Sequence, residues 1–263
     1  MRIGEPRAAR RLTDPAYLRY QYADDERLRV RIETHRRYSE NPASFTDWVL
    51  ARLAVTAGDR VLDVGSGPGG YHAGLSRARL IAIDLSAGML ANVGVPRAQA
   101  DAQALPFRDA SFDRVLCAHV LVHVPDIPHA LHEMRRVVRR GGRAVIVTNS
   151  RATMRPLFDM QNAIAVELGI AEESSVAARF GLEDVDVVRE VFPTARVDAY
   201  EDAFRFTAAE PVLAYVSSTF VGLLPADTRA EYLGRLARRV EAVIAREGVF
   251  RVPKRSGCFV ADV

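Results

Sequence analysis

The stretch Val61-Leu62-Asp63-Val64-Gly65-Ser66-Gly67-Pro68-Gly69-Gly70-Tyr71 constrains the fold more than any other part of the chain. A short apolar run, of the kind that ends a buried strand, leads straight into Gly65, Gly67 and Gly69 at alternate positions. Residues with a Cβ negotiate such a turn poorly. Bare backbone at the carboxyl end of a strand lets a ligand approach the main chain closely. The chain therefore reads as α/β, with a ligand crevice above its first strand.

A second acid, Asp84, ends the next apolar stretch, Ile81-Ala82-Ile83. The spacing from Asp63 to Asp84 suits a βαβ unit that sets a carboxylate on a ribose hydroxyl. The glycines alone leave the ligand open. Gly65, Gly67 and Gly70 also satisfy the G-x-G-x-x-G pattern of nicotinamide and flavin enzymes. S-adenosylmethionine (SAM), a dinucleotide, or a tight turn with no ligand all fit that run.

The chain has 263 residues, 49% of them apolar, enough for one large α/β domain with a cap. No apolar run is long enough to span a membrane, and Met1–Arg7 lacks the apolar core of a secretory signal, so a cytoplasmic location is expected. Cys117 and Cys258 are too few for a disulfide framework or a zinc cluster, and no metal is expected. The formal charge of +3 is near neutral, and Lys254 is the only lysine. The densest basic run, Arg135–Arg143, reads as a helix C-terminus whose cations meet the negative end of the dipole, with Gly141 stopping the helix. Aromatic residues are not interleaved with it, as a single-strand nucleic-acid surface would require.

Helical spacing is expected at 24–39, with Leu28, Ile32 and His35 on one face, and at 44–54, capped by Ser44. Strands at 60–64, 79–83, 97–100, 113–118 and 142–148 alternate with helices at 70–76, 87–92 and 128–139, a pattern that argues for a parallel sheet. Beyond Asn149 an irregular helical stretch runs to 192. It is followed by a strand at 196–207, helices at 208–220 and 226–247, and a final strand at 257–263.

Four further segments follow the glycine loop in order: Asp84-Leu85-Ser86-Ala87-Gly88-Met89-Leu90, Gln99-Ala100-Asp101-Ala102 through Phe107, Ser111 through Asp126, and Leu131 through Arg143. Together with the loop they resemble the class I SAM-dependent methyltransferases, in particular the branch of quinone-biosynthesis and small-molecule enzymes. The resemblance is close over about residues 45–150 and loose over 196–263. It implies a Rossmann-like, seven-stranded, mostly parallel sheet with an antiparallel last strand, helices on both faces and a helical cap. One domain is expected, with a lid at 1–55, a SAM-binding core at 56–150, a cap insertion at 151–195 and the rest of the sheet at 196–263.

The resemblance also implies site residues. Asp63, Gly65, Ser66, Gly67 and Gly69 would bracket the methionine part of SAM. Asp84 would accept from the ribose hydroxyls, with Leu85 and Met89 against the adenine. Asp101 would take the adenine amino group and the Ala102 amide a ring nitrogen. Asp63 and Asp101 favour a cationic sulfonium cofactor over a pyrophosphate-bearing one.

Methyl transfer is an in-line displacement that depends on placing the acceptor, with a general base needed only for acceptors of high pKa. His119 and His123, in the turn after the fourth strand, are the candidate catalytic groups. His119 is expected to face cofactor and acceptor, and His123 to pack inside. Tyr20, Tyr22 and His35 are candidate substrate residues in an N-terminal lid that would keep water from the sulfonium. The acceptor is expected to be a small, partly apolar metabolite methylated on O, N or C, with neither nucleic acid nor membrane as partner and a homodimer as one possible assembly. A SAM-binding protein without transfer, a macromolecular acceptor and an NAD-dependent oxidoreductase are the competing readings.

Overall fold

A computed structural model describes residues 12–170 and 176–263. The loose segment expected at 1–14 lies almost wholly outside the described residues, as does a short part of the helical stretch expected at 151–192. Seven strands form one sheet: β1 Arg60–Val64, β2 Arg79–Asp84, β3 Arg97–Gln99, β4 Phe112–Ala118, β5 Val138–Asn149, β6 Arg196–Phe206 and β7 Phe250–Asp262. Their order is β3-β2-β1-β4-β5-β7-β6. The first five are parallel, and β7 lies antiparallel between β5 and β6. The expected sheet is the observed one.

Each face of the sheet buries a core. Leu62, Val64, Ile83, Val115, Cys117 and Ile146 meet Leu131 and Met134 on one side. Val61, Leu80, Leu116 and Val145 meet Val49 and Leu53 on the other. Parallel strands covered on both faces must read as near-continuous apolar runs, which is why these strands were visible in the sequence. The strand order reverses between β1 and β4, so their carboxyl ends open a crevice at the switch point.

Nine helices surround the sheet among the described residues: α1 Pro15–Tyr22, α2 Glu26–Tyr38, α3 Phe45–Leu53, α4 Ala87–Leu90, α5 Ile127–Val137, α6 Arg155–Glu167, α7 Val185–Val191, α8 Glu210–Ser217 and α9 Ala226–Glu247. Their starts follow ordinary capping chemistry. Asp14 accepts from the Ala16 amide ahead of Pro15, Ser44 from Asp47, and Asp126 from His129.

The structure corrects several expectations. A helix not expected from the sequence, α1, carries Tyr17, Tyr20 and Tyr22 ahead of the one expected at 24–39. On α2, Ile32 is exposed and Thr34 is the buried residue, while Leu28, Arg31 and His35 reach the rest of the chain through their side-chain contacts. Helix α5 ends at Val137, so Gly141 (φ 71°) sits inside β5 and does not stop the helix. The basic run is laced to acids, with Arg136 on Glu133 and Asp109, Arg139 on Asp113 and Arg143 on Asp262.

The 151–195 segment does not act as one cap. Its second half, with Phe180, Val188 and Phe192, closes a face of the sheet. Its first half joins a separate core in which Met154, Leu157 and Ile164 pack with Phe204, Phe206, Tyr232, Leu236 and Val252. This second core exists because β6 and β7 are long. β7 pairs with β5 only over Ser256–Asp262, whereas it pairs with β6 over Phe250–Val260, from Phe206↔Phe250 to Arg196↔Val260. Residues 200–206 and 250–255 therefore form a ribbon that overhangs the carboxyl edge of the parallel strands, directly above the crevice.

Candidate functional site

The loop after β1 takes the conformation its glycines permit, with φ of 66° at Gly65 and 53° at Gly67. A methyl group on residue 65 would lie 2.2 Å from Val120 Cγ2, so the turn after β4 packs directly on the glycine loop. At the tip of β2, Asp84 Oδ2 accepts from the Gly67 amide at 2.9 Å and Oδ1 from the Ser86 amide at 2.8 Å. Burial raises the Asp84 pKa, and these two amides act against that rise. Next to it Leu85 is 57% exposed, an apolar side chain facing open space beside a fixed carboxylate. Met89, expected beside it, is buried instead, as is Ser66.

Asp63 lies beneath the loop. It is 1% exposed, and its Oδ2 meets His72 Nε2 at 3.0 Å. Burial raises its pKa, with His72 opposing. The pair braces the loop from below, and Gly69 is bare because a Cβ there would lie 2.4 Å from His72 Nδ1. His72 was not singled out from the sequence, since nothing in a nine-residue separation across a turn marks the two as partners. Asp101 is half-buried and holds its own turn. Its carboxylate accepts from the Gln103 amide at 2.9 Å and from Gln103 Nε2 at 3.0 and 3.1 Å. The neighbouring Ala102 amide has no acceptor among the described residues.

His119 ends β4 in the left-handed region, φ 60°, with its amide held by the Val147 carbonyl at 2.9 Å. Non-glycine residues in that region are costly and gather at functional sites. Burial, with a smaller effect from His123, lowers its pKa to about 4. His123 makes two bonds that fix its tautomer. Nδ1 donates to the Leu12 carbonyl at 3.0 Å, so Nε2 carries a lone pair and accepts from the Tyr22 hydroxyl at 2.9 Å. Burial lowers the His123 pKa to about 4 and raises that of Tyr22. His123, expected to pack inside, has both ring nitrogens in hydrogen bonds, one of them to a tyrosine of α1.

Tyr22 is brought there by the α1–α2 turn, which docks on the start of α4. Ser86 Oγ donates to the Tyr22 carbonyl at 2.6 Å, and a Cβ on Gly88 would strike the Ala23 carbonyl at 1.8 Å. Tyr20 points elsewhere. Its hydroxyl abuts Gly222, and its ring carries the Arg27 guanidinium at 4.0 Å, so it fastens α1 to the second core.

His35 packs against Phe204 of the ribbon, with ring centres 4.7 Å apart, and its Nδ1 lies 3.2 Å from Lys254 Nζ. The side chain is solvent-accessible, yet dehydration is the main cause that lowers its pKa to about 3. Both hold for a group that lines a cleft walled by protein. A positive charge on His119 would act in the same direction. The structure therefore gathers Gly67, Asp84, Leu85, Tyr22, His119, His123 and His35 around one crevice, and leaves Asp63, Met89 and Tyr20 outside it.

Comparison with known proteins adds likenesses to this geometry. Residues 62–146 match the methyltransferase domain family. Over 110 residues the chain is 42% identical to a demethylmenaquinone methyltransferase of Mycobacterium sp. (strain KMS), covering 40% of this chain and 48% of that protein. The chain thus spans about half the length of the curated relatives it matches. Among solved structures, phosphoethanolamine N-methyltransferase 2 of Haemonchus contortus, in complex with phosphomonomethylethanolamine and S-adenosylhomocysteine, superposes with a TM-score of 0.55 at 19% identity. That match covers 93% of this chain and 58% of the other. The [4+2]-cyclase SpnF superposes with a TM-score of 0.51 at 16% identity, covering 86% of this chain and 85% of the other. One fold therefore serves more than one reaction.

Proposed function

We propose that this chain, in which residues 62–146 are a methyltransferase domain on a class I SAM-dependent fold, transfers a methyl group from SAM to an O, N or C atom of a small, partly apolar metabolite. The observation that carries the reading is Asp84. Its carboxylate is fixed by the Gly67 and Ser86 amides beside an exposed Leu85. A carboxylate set next to an open apolar side chain, with an unclaimed amide at Ala102, suits a ribose diol and an adenine edge. The residues present fit the cofactor: Gly67 and Gly69 for its methionine end, Asp84 for the ribose, Leu85 and Ala102 for the base.

When bound, SAM supplies an electrophilic methyl group on a cationic sulfur. The chain's own residues place and deprotonate the acceptor. Tyr22 donates its only hydrogen to His123 Nε2, so its oxygen lone pairs remain available to an acceptor O–H or N–H. As the acceptor's proton moves to the Tyr22 oxygen, the tyrosine proton moves to His123 Nε2, and the Leu12 carbonyl holds the imidazolium by Nδ1–H. A His123 pKa near 4 keeps the pair neutral at physiological pH but makes it a weak base. It suits acceptors already acidic, or proton loss concerted with transfer. The α1–α2 lid excludes water from the crevice. No helix among the described residues is long and apolar enough to cross a membrane, and we place the reaction in the cytoplasm on a free metabolite, with a homodimer as a compatible assembly.

Calorimetry with S-adenosylhomocysteine tests the cofactor. Wild type should bind, and Asp84→Ala should weaken binding about tenfold or more through the lost ribose contacts. Unchanged affinity in Asp84→Ala would reject the assignment. Release of S-adenosylhomocysteine from SAM with a panel of phenols, amines and enols tests transfer, and product without any added acceptor dependence would count against it.

A further inference from the structure

Arg31 and His35 stand four residues apart on α2, over the end of the crevice away from the glycine loop. Arg31 Nη1 donates to Gln21 Oε1 at 3.0 Å and to the Ser218 carbonyl at 2.7 Å, both neutral groups. No carboxylate among the described residues pairs with it. Its charge reaches Tyr22, Tyr215, His35 and His123, which line the same space. Beside it, Gln21 is 2% exposed, and its Nε2 has no acceptor among the described residues.

His35 supplies a further donor, and the ribbon dictates which. Lys254 is 5% exposed, and its ammonium meets Asp202 Oδ2 at 2.7 Å, Ser39 Oγ at 2.7 Å and His35 Nδ1 at 3.2 Å. An ammonium has three donors and no acceptor, so His35 Nδ1 must be the lone-pair nitrogen and Nε2 must carry the hydrogen. Nε2 has no acceptor among the described residues. This end of the cleft thus presents a guanidinium and an imidazole N–H with donors to spare, next to a buried amide N–H that also has no acceptor among the described residues.

We infer that the methyl acceptor carries a carboxylate, seated on the Arg31 guanidinium and the Nε2–H of His35, with Lys254 as the positioning residue that fixes the His35 tautomer. A planar guanidinium fork matches a carboxylate in a way that neutral acceptors cannot, and charge-assisted bonds are roughly twice as strong as neutral ones. Tyr215, whose ring lies 6.2 Å from that of His35, supplies an apolar wall for the rest of the molecule. This assignment rests on the methyl-transfer reading and names the chemistry of its second substrate.

The test uses the full chain saturated with S-adenosylhomocysteine, with benzoate, benzamide and phenyl phosphate as probes, read by calorimetry or saturation-transfer NMR. Benzoate should bind about tenfold or more tightly than the isosteric benzamide. Arg31→Gln should abolish that preference while S-adenosylhomocysteine affinity stays within about twofold of wild type. Because Arg31 also ties α1 to α8, Arg31→Lys serves as the second variant; it keeps the charge and should retain part of the preference. In 15N spectra His35 Nδ1 should be the unprotonated nitrogen, and Lys254→Met should release that assignment. Equal affinity for benzoate and benzamide, binding of neither probe by the loaded protein, or an intact preference in Arg31→Gln would overturn the proposal. A preference for phenyl phosphate over benzoate would overturn the carboxylate as its class. Failure of wild type to bind S-adenosylhomocysteine would overturn the methyl-transfer reading, and this one with it.

Discussion

Residue 65 shows how little room the crevice leaves. Gly65 combines φ 66° with a would-be Cβ contact of 2.2 Å to Val120. Gly65→Ala therefore meets backbone strain and a clash together, and should cost about 2 kcal/mol or displace the loop. Thermal unfolding and S-adenosylhomocysteine titration read the two outcomes, and a variant unchanged in both would contradict the packing. Gly88→Ala is a different case, since its Cβ would strike the Ala23 carbonyl of the lid. It should lower turnover by shifting Tyr22 while leaving the fold's melting temperature nearly intact. Tyr22→Phe should lower turnover with cofactor affinity unchanged, and equal turnover would remove Tyr22 from the proton path.

These residue-level features were unequally legible. The glycines and Asp84 stood out because a backbone requirement and a strand-end carboxylate leave a mark in the sequence itself. The Asp63–His72 brace and the Tyr22–His123 pair did not, because each joins groups whose meeting depends on how a turn or a helix is laid in space. For the histidines, the sequence placed both at the right turn but could not say which ring the lid would reach.

Among elements, the overhanging ribbon of β6 and β7 decides the most. It sets Asp202 opposite Lys254 in direct register, buries both, and lays the ammonium over the Phe204 ring at 3.9 Å. The sequence showed a solitary lysine and two strands, but strand ends are weakly marked, and no pattern announces a cross-strand register. Helix α1 was missed for a related reason: it packs through tyrosines and a buried glutamine, so its apolar stripe is faint. Removing one partner of a buried pair leaves the other charge dehydrated, so Lys254→Met should destabilise by about 3 kcal/mol. The double variant Lys254→Met/Asp202→Asn should recover part of that loss. Urea unfolding of the single and double variants measures the difference, and a double variant weaker than the sum of its singles would contradict the coupling.

For the whole molecule, three histidines share one crevice, with pKa values lowered to about 3, 4 and 4 at His35, His119 and His123. All three are neutral in the folded chain at physiological pH. Their ring resonances should stay flat from pH 8 to about 5.5, and an inflection near the ordinary value of about 6.5 would refute the burial argument. The unfolded chain takes up protons through that interval while the folded chain does not. The histidine contribution to stability is therefore full above about pH 6.5 and is lost as the pH falls towards 4. His123→Gln should flatten part of that decline. For the same reason the acid limb of turnover should fall near pH 4, well below the range of a solvated imidazole.

The α1–α2 segment, proposed above as a lid, is fastened unequally at its two ends. Beyond α2, Ser39 bridges to Phe204, the Glu40 amide bonds the Ala203 carbonyl at 2.8 Å, the Asn41 amide bonds Asp202 at 2.9 Å, and Arg251 grips Glu40. At the α1–α2 turn, above Asp84, the Ser86 hydroxyl holds the Tyr22 carbonyl and His123 holds the Tyr22 hydroxyl. A flap sewn along one margin and latched at the other swings from the latch, and the latch lies over the nucleoside end of the crevice. Turnover should consequently follow a compulsory sequence, with SAM first on and S-adenosylhomocysteine last off. Initial-rate patterns should show S-adenosylhomocysteine competing with SAM but not with the acceptor. Weakening the latch with Ser86→Ala should speed the departure of S-adenosylhomocysteine and carry the enzyme towards random order.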